Sequence, residues 1–167
     1  MARIDQLLEY TRQVGASDLH LSVRRPPLVR LHGGLAPISK APLTASDTLR
    51  IIGEILTEER RITFGKLNNL DFGYEIPGVG RFRANVLRQR KGVDAAFRVI
   101  PDQLPNASDL GLPDVLLDLT RLAKGLVLAT GPSGCGKSTT LAALVNEVNE
   151  NRSEHIITLE DPIEYLH

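Results

Sequence analysis

Tryptophan is absent from this 167-residue chain, aromatic residues make up 4% of it, and there is one cysteine and one methionine. Each shortage excludes something. The single cysteine, Cys135, cannot close an internal disulfide or build a zinc site by itself, which agrees with a reducing compartment. The few aromatics are not interleaved with basic runs, so a base-stacking surface and stable nucleic-acid binding are not expected. No run of eighteen apolar residues occurs, and the N-terminus, Met1-Ala2-Arg3-Ile4-Asp5-Gln6, lacks an apolar signal core. No transmembrane segment is therefore expected, and the cytoplasm is the expected location. What is present, 42% hydrophobic and 24% charged residues, suits one medium domain or two small ones.

The formal net charge is zero but unevenly spread. Residues 1–100 carry 16 basic and 10 acidic groups, a net of +6, whereas residues 101–167 carry 4 and 10, a net of −6. This divides the chain near residue 100. The basic half could bind nucleic acid, or it could lend arginines to a phosphate held by the acidic half. The low aromatic content favours the second reading.

The run Gly131-Pro132-Ser133-Gly134-Cys135-Gly136-Lys137-Ser138 fits the phosphate-loop pattern G-x-x-x-x-G-K-[ST] at every required position. A backbone that wraps phosphate oxygens needs residues without a Cβ, so that successive N–H groups converge on the anion. Lys137 is placed to reach the β- and γ-phosphates, and the Ser138 hydroxyl is the expected ligand to Mg²⁺. ATP and Mg²⁺ are the expected cofactors, bound by Gly131, Pro132, Ser133, Gly134, Cys135, Gly136, Lys137, Ser138 and Thr139. Residues 125–130 (Gly-Leu-Val-Leu-Ala-Thr) read as a buried strand entering the loop, and Leu141, Leu144, Val145 and Val148 follow it at helical spacing. Oxidation of Cys135 could block the loop, or Cys135 could be a small residue at a variable position.

Upstream, Ile4, Leu7, Leu8, Thr11 and Val14 predict an amphipathic helix over 3–14 ended by Gly15. Residues 17–23 alternate as a half-buried strand, 28–31 continue as its partner, and Gly33-Gly34 makes a turn. Thr44-Ala45-Ser46-Asp47 has capping-box spacing and opens a second helix that runs to about Arg61. Strands are expected over 71–76, 81–88 and 93–100, with Pro77-Gly78-Val79-Gly80 turning between the first two. The first region thus reads as two helices on an antiparallel sheet. Residues 101–112 read as a linker, and a short helix is expected over 113–122. Residues 155–159 (His-Ile-Ile-Thr-Leu) read as a buried strand parallel to 125–130 through a right-handed crossover.

Glu160, Asp161 and Glu164 sit where that strand ends, the edge at which ligands bind in open parallel sheets. A carboxylate there could hold Mg²⁺ or position the attacking water, and Pro162 would hold the turn rigid; otherwise this is a solvated acidic turn. In Arg81-Phe82-Arg83-Ala84-Asn85-Val86 the arginines face away from the core, with Arg98 on the next strand. They are either solvated surface or donors to a γ-phosphate. His20 reads as packing rather than a ligand or switch.

Four segments carry a family resemblance: residues 15–21 (Gly-Ala-Ser-Asp-Leu-His-Leu), 80–85 (Gly-Arg-Phe-Arg-Ala-Asn), 125–140 around the phosphate loop, and 155–165 (His-Ile-Ile-Thr-Leu-Glu-Asp-Pro-Ile-Glu-Tyr). They resemble the ASxxH, RFR-N, Walker A and Asp-box elements of the type II and type IV pilus secretion ATPases, most closely the PilT-type pilus retraction ATPases. That resemblance implies a PAS-like α+β N-terminal domain over 1–100 and, after the linker, the first part of a RecA-like α/β P-loop domain over 113–167, in a homo-hexameric ring. It also implies Glu164 as general base with Glu160 nearby, and Arg83 and Arg98 reaching the γ-phosphate on domain closure. ATP hydrolysis would drive pilin disassembly in twitching motility, at an inner-membrane platform protein. The position of the ASxxH element and the lack of a tetracysteine zinc element favour retraction over extension or export motors. A related assembly or DNA-uptake ATPase is the alternative within the class. The family continues through Walker B and His-box segments, whereas this sequence stops at His167, so a fragment with little turnover is expected. It could also act as a non-hydrolysing interaction module of the ring.

Overall fold

Alternation of apolar and polar residues along the strands dictates how the first unit is layered. The computed structural model describes all residues except Met1, Asp102, Gln103, Pro105, Ser133, Pro162, Glu164, Leu166 and His167. It forms two compact units, Met1–Ile100 and Pro101–His167.

In the first unit the elements are α1 (Arg3–Gln13), β1 (Asp18–Leu21), β2 (Leu28–Leu31), β3 (Gly34–Pro37), α2 (Ala45–Gly53), α3 (Glu58–Leu67), β4 (Asn69–Ile76), β5 (Gly80–Gln89) and β6 (Gly92–Ile100). The six strands make one antiparallel sheet in the order β3-β2-β1-β6-β5-β4. Because successive side chains point to opposite faces, Leu19 and Leu21, Phe82, Ala84 and Val86, and Ala95 and Phe97 fall on one face. There they are buried with Ile4, Leu8, Ile51, Ile52 and Phe64 from the helices in a single core. Phe82 and Phe97 are fully buried, each contributing about 1.5–3 kcal/mol by leaving water. The unit is α+β, as expected.

Three details differ from the sequence reading. The expected helix from 45 to about 61 is two helices, because α2 ends at Gly53 and Thr57 starts a fresh one, its side chain accepting from Arg60 N at 3.3 Å. Arg61 then ties the pair, donating from Nε to the Leu56 carbonyl and from Nη2 to that of Gly53, both at 3.1 Å. The sheet therefore carries three helices rather than two. Residues after the Gly33-Gly34 turn also form an edge strand, β3, paired with β2. The capping box holds as expected, with Thr44 Oγ1 accepting from Asp47 N at 3.1 Å and the Asp47 carboxylate accepting from Thr44 N at 2.9 Å.

The second unit contains α4 (Asp114–Leu119) and α5 (Lys137–Asn151). Arg152 Nη1 donates to the Thr120 carbonyl at 2.6 Å, joining the ends of these helices, and pairs with Glu154. Ala142 and Ala143 form the buried face of α5, while the larger Leu141 on the expected stripe is exposed. The two expected parallel strands are not formed. Residues 125–130 and 155–159 lie outside any helix or sheet among the described residues, with Leu126, Leu128 and Leu159 at 82%, 74% and 101% exposure. A strand of that composition is buried only when neighbours pair both edges and helices cover both faces. α5 and the six-residue α4 cannot supply that.

Candidate phosphate-binding site

The loop before α5 is shaped by its glycines. Gly136 caps the helix with φ +92° and offers no side-chain partner, so the first N–H groups of α5 carry no side-chain cap. Gly131 sits at φ +151°, and a Cβ added there would lie 2.8 Å from Cys135 Sγ. At Gly131, then, the loop leaves no room for a side chain, whereas a Cβ at Gly134 or Gly136 would meet nothing within 4 Å. Lys137 folds back over it, its Nζ donating to the Pro132 carbonyl at 2.6 Å and lying 3.9 Å from Cys135 Sγ. Helix N-termini of this kind favour anions through free N–H groups and the positive dipole end. The first turn of α5 thus presents N–H groups without a side-chain cap behind glycines at positive φ; Ser133 lies outside the described residues.

Thr139 Oγ1 and the Tyr165 hydroxyl are 3.4 Å apart, which ties the Asp-box segment to the first turn of α5. Glu160 and Asp161 are exposed, and no strand precedes them among the described residues. Glu164 and Pro162 lie outside the described residues.

In the first unit, the sheet face away from the helices is a ladder of charges. Register places Asp18 opposite both Arg30 and Arg98, and Arg98 opposite Arg83. Arg83 grips Asp71, with Nη2 at 2.8 Å and Nε at 3.1 and 3.2 Å from its carboxylate. Arg98 Nε donates to Asp18 at 3.2 Å, and Arg30 Nε lies 3.3 Å from the other oxygen of the same carboxylate. Arg81 pairs with Glu75 at 3.6 Å. The two arginines singled out from sequence are thus directly adjacent across β5 and β6. Each is oriented by a carboxylate, and the Arg98 side chain remains 71% exposed.

Asp18 and Asp71, which aim those arginines, escaped the sequence reading, although Asp18 stands inside the ASxxH segment. Burial alone would raise the Asp18 carboxyl, but hydrogen bonds from Ser17 and Arg98 and the Arg98 charge outweigh it and hold the group below the usual carboxylate range. Burial lowers His20, partly offset by the Asp18 charge and reinforced by Arg30. Its Nε2 is buried without a partner among the described residues, so a charge on this ring would lack a hydrogen-bond acceptor there.

The profile of the family described as "Type II/IV secretion system protein" matches residues 2–167. The chain belongs to that family. The Type IV pilus retractation ATPase PilT of Pseudomonas aeruginosa is 42% identical to it over 98% of this chain and 48% of the relative. The Type IV pilus ATPase PilU of the same organism is 36% identical over 98% of the chain and 43% of the relative. A crystal structure described as the pilus retraction motor PilT with bound ADP superposes with a TM-score of 0.91 at 41% identity, covering all of this chain and 49% of that one. This chain therefore spans about half the length of these secretion-family relatives.

Proposed function

We propose that this secretion-family chain supplies the phosphate loop and the arginine-bearing sheet of an ATPase that powers type IV pilus retraction. The observation that carries this reading is the loop itself, where Gly131 and Gly136 in glycine-favouring conformations precede an uncapped helix and Lys137 closes over the space. Likeness to PilT over 98% of the chain, and to a PilT structure described with bound ADP, supports a nucleotide as ligand.

In this reading the Pro132 carbonyl holds Lys137 until a phosphate oxygen replaces it, and Ser138 offers its hydroxyl to Mg²⁺. The metal supplies charge neutralisation at the phosphates. Glu164 takes the proton of the attacking water, with Glu160 beside it. Arg83 and Arg98 contribute cationic donors from a first domain over 1–100, joined by a linker over 101–112 to the nucleotide domain over 113–167. The meander of β4, β5 and β6 with β1 added beside β6 supports a PAS-like first domain. The loop–helix sequence supports a RecA-like second one. A homo-hexameric ring, peripheral to the inner membrane at a platform protein, completes the reading. Likeness to PilU supports an accessory pilus ATPase as the second reading.

The test is Mg²⁺-ATP titration of the chain by calorimetry beside Lys137→Ala. A lysine–phosphate contact contributes about 1.5–3 kcal/mol, so affinity should fall about 10- to 150-fold. Equal affinity in the two proteins refutes the reading.

A further inference from the structure

We infer that the first unit carries a second ligand site, a cavity that accepts a small anionic amphiphile with an acyl-like body and a single acidic head. A cavity of about 270 Å³ opens between α2, α3 and the end of the β5–β6 hairpin. Ile52, Leu56, Phe64 and Val93 form its apolar part, and Arg61 and Arg88 stand in its lining.

The alternation that buries Phe82, Ala84 and Val86 puts position 88 on the same side of the strand, but the buried run ends at Val86 and Arg88 is exposed at the rim of that face. Its guanidinium lies over the Phe64 ring, 5.4 Å from the centroid. Arg61 is held in place by the Leu56 and Gly53 carbonyls, which orient it without neutralising it.

Among the described residues no carboxylate forms an ion pair with either guanidinium. Two acids of neighbouring segments are engaged elsewhere: Glu54 accepts from Ile4 N at 3.2 Å, and Asp94 accepts from Val23 N at 2.9 Å and from Gln89 Nε2 at 3.2 Å, while Glu58, one turn before Arg61 on α3, forms no ion pair with it among the described residues. Exposed Arg90 and Lys91 at the neighbouring hairpin tip add charge of the same sign. Two oriented cations beside an apolar hollow complement a carboxylate or phosphate on a short hydrocarbon body. The volume lies near the lower end of small-molecule sites, which points to a medium-length acyl chain rather than a larger group.

Decanoate is the probe, titrated into the chain with decyltrimethylammonium as the oppositely charged control. Two variants separate charge from space. Arg88→Gln removes one cation. Gly65→Leu fills the cavity from a helix position where a Cβ meets nothing within 4 Å, and leucine favours the helix over glycine. The expected result is decanoate binding at least about tenfold tighter than the cation, weakened about tenfold or more by each variant, with the unfolding midpoint of Gly65→Leu not lowered. Methyl NMR should show decanoate shifting Ile52 and Val93 rather than the exposed Leu126, Leu128 and Ile157 of the second unit. The inference is overturned by no decanoate binding, by equal binding of the two head groups, by shifts confined to the second unit, or by decanoate affinity unchanged in both variants.

Discussion

Replacing Gly131 by alanine tests whether the loop conformation seen here is the one a nucleotide needs. Two costs arise at this position. At φ +151° the backbone lies where an L side chain is strained, typically by about 1–3 kcal/mol. The new Cβ would also approach Cys135 Sγ to 2.8 Å, closer than real Cβ contacts occur. The nucleotide-free loop can relax to escape both, but nucleotide binding must restore the strained form, so the backbone cost appears as lost affinity. About 5- to 150-fold weaker ATP binding is expected from it. The assay is titration of a fluorescent ATP analogue against the parent chain, Gly131→Ala, and Gly131→Ala with Cys135→Ala. Removing the sulfur relieves the contact but not the dihedral, so the double variant should recover only part of the loss. Gly78→Ala is the control: φ is +76° and no atom lies within 4 Å of the new Cβ, so it should lower stability and leave ATP affinity alone. Parent-like affinity in Gly131→Ala, or full recovery in the double variant, refutes the reasoning.

Phe97→Ala removes a fully buried ring from the centre of the sheet and should cost about 3–5 kcal/mol, read as a lower urea midpoint; a shift under about 1 kcal/mol would mean the core closes over the gap. Thr44→Ala removes the α2 cap and should cost about 1 kcal/mol, checked by thermal unfolding beside Thr44→Ser, which should retain most of it. His20 titrates below the ordinary imidazole value of 6.5 in the folded chain, so the unfolded chain binds its proton more readily. Its contribution is whole above 6.5 and erodes as pH falls below that value toward the folded one; His20→Gln should flatten the stability curve on the acid side of 6.5, and an unchanged slope counts against it.

The legible parts of the sequence were those whose signals are local. Thr44 and Asp47 mark a helix start because their reciprocal hydrogen bonds span three residues. The β5 alternation survives because every second residue meets the core. α3 was hidden because it has almost no apolar stripe: Phe64 is its one buried residue, while Ile62 and Leu67 are exposed. β3 was hidden because it is a four-residue edge in which Ala36 alone is half-buried, too short for an alternation to read. The arginines were visible, but not their orienting carboxylates, since the pairings of Asp18 with Arg98 and Asp71 with Arg83 depend on register across the sheet.

The second unit separates the two kinds of information most clearly. The phosphate loop and α5 take shape from contacts within a few residues: Gly136 turns the chain, Thr140 N donates to the Gly136 carbonyl at 2.8 Å, and each later turn of helix satisfies itself. Residues 125–130 and 155–159 carry an equally clear apolar pattern, yet a strand has no internal hydrogen bonds and exists only through partners on its edges and faces. Their pattern therefore records a demand for neighbours, and the exposure of Leu126, Leu128 and Leu159 shows that this demand is unmet within the described residues. Because the loop is built from local contacts, its glycine conformations and the Lys137 hydrogen bond stand whether or not the flanking strands are paired. For that reason Gly131→Ala and Lys137→Ala report on the loop itself, and neither depends on completion of a sheet around it.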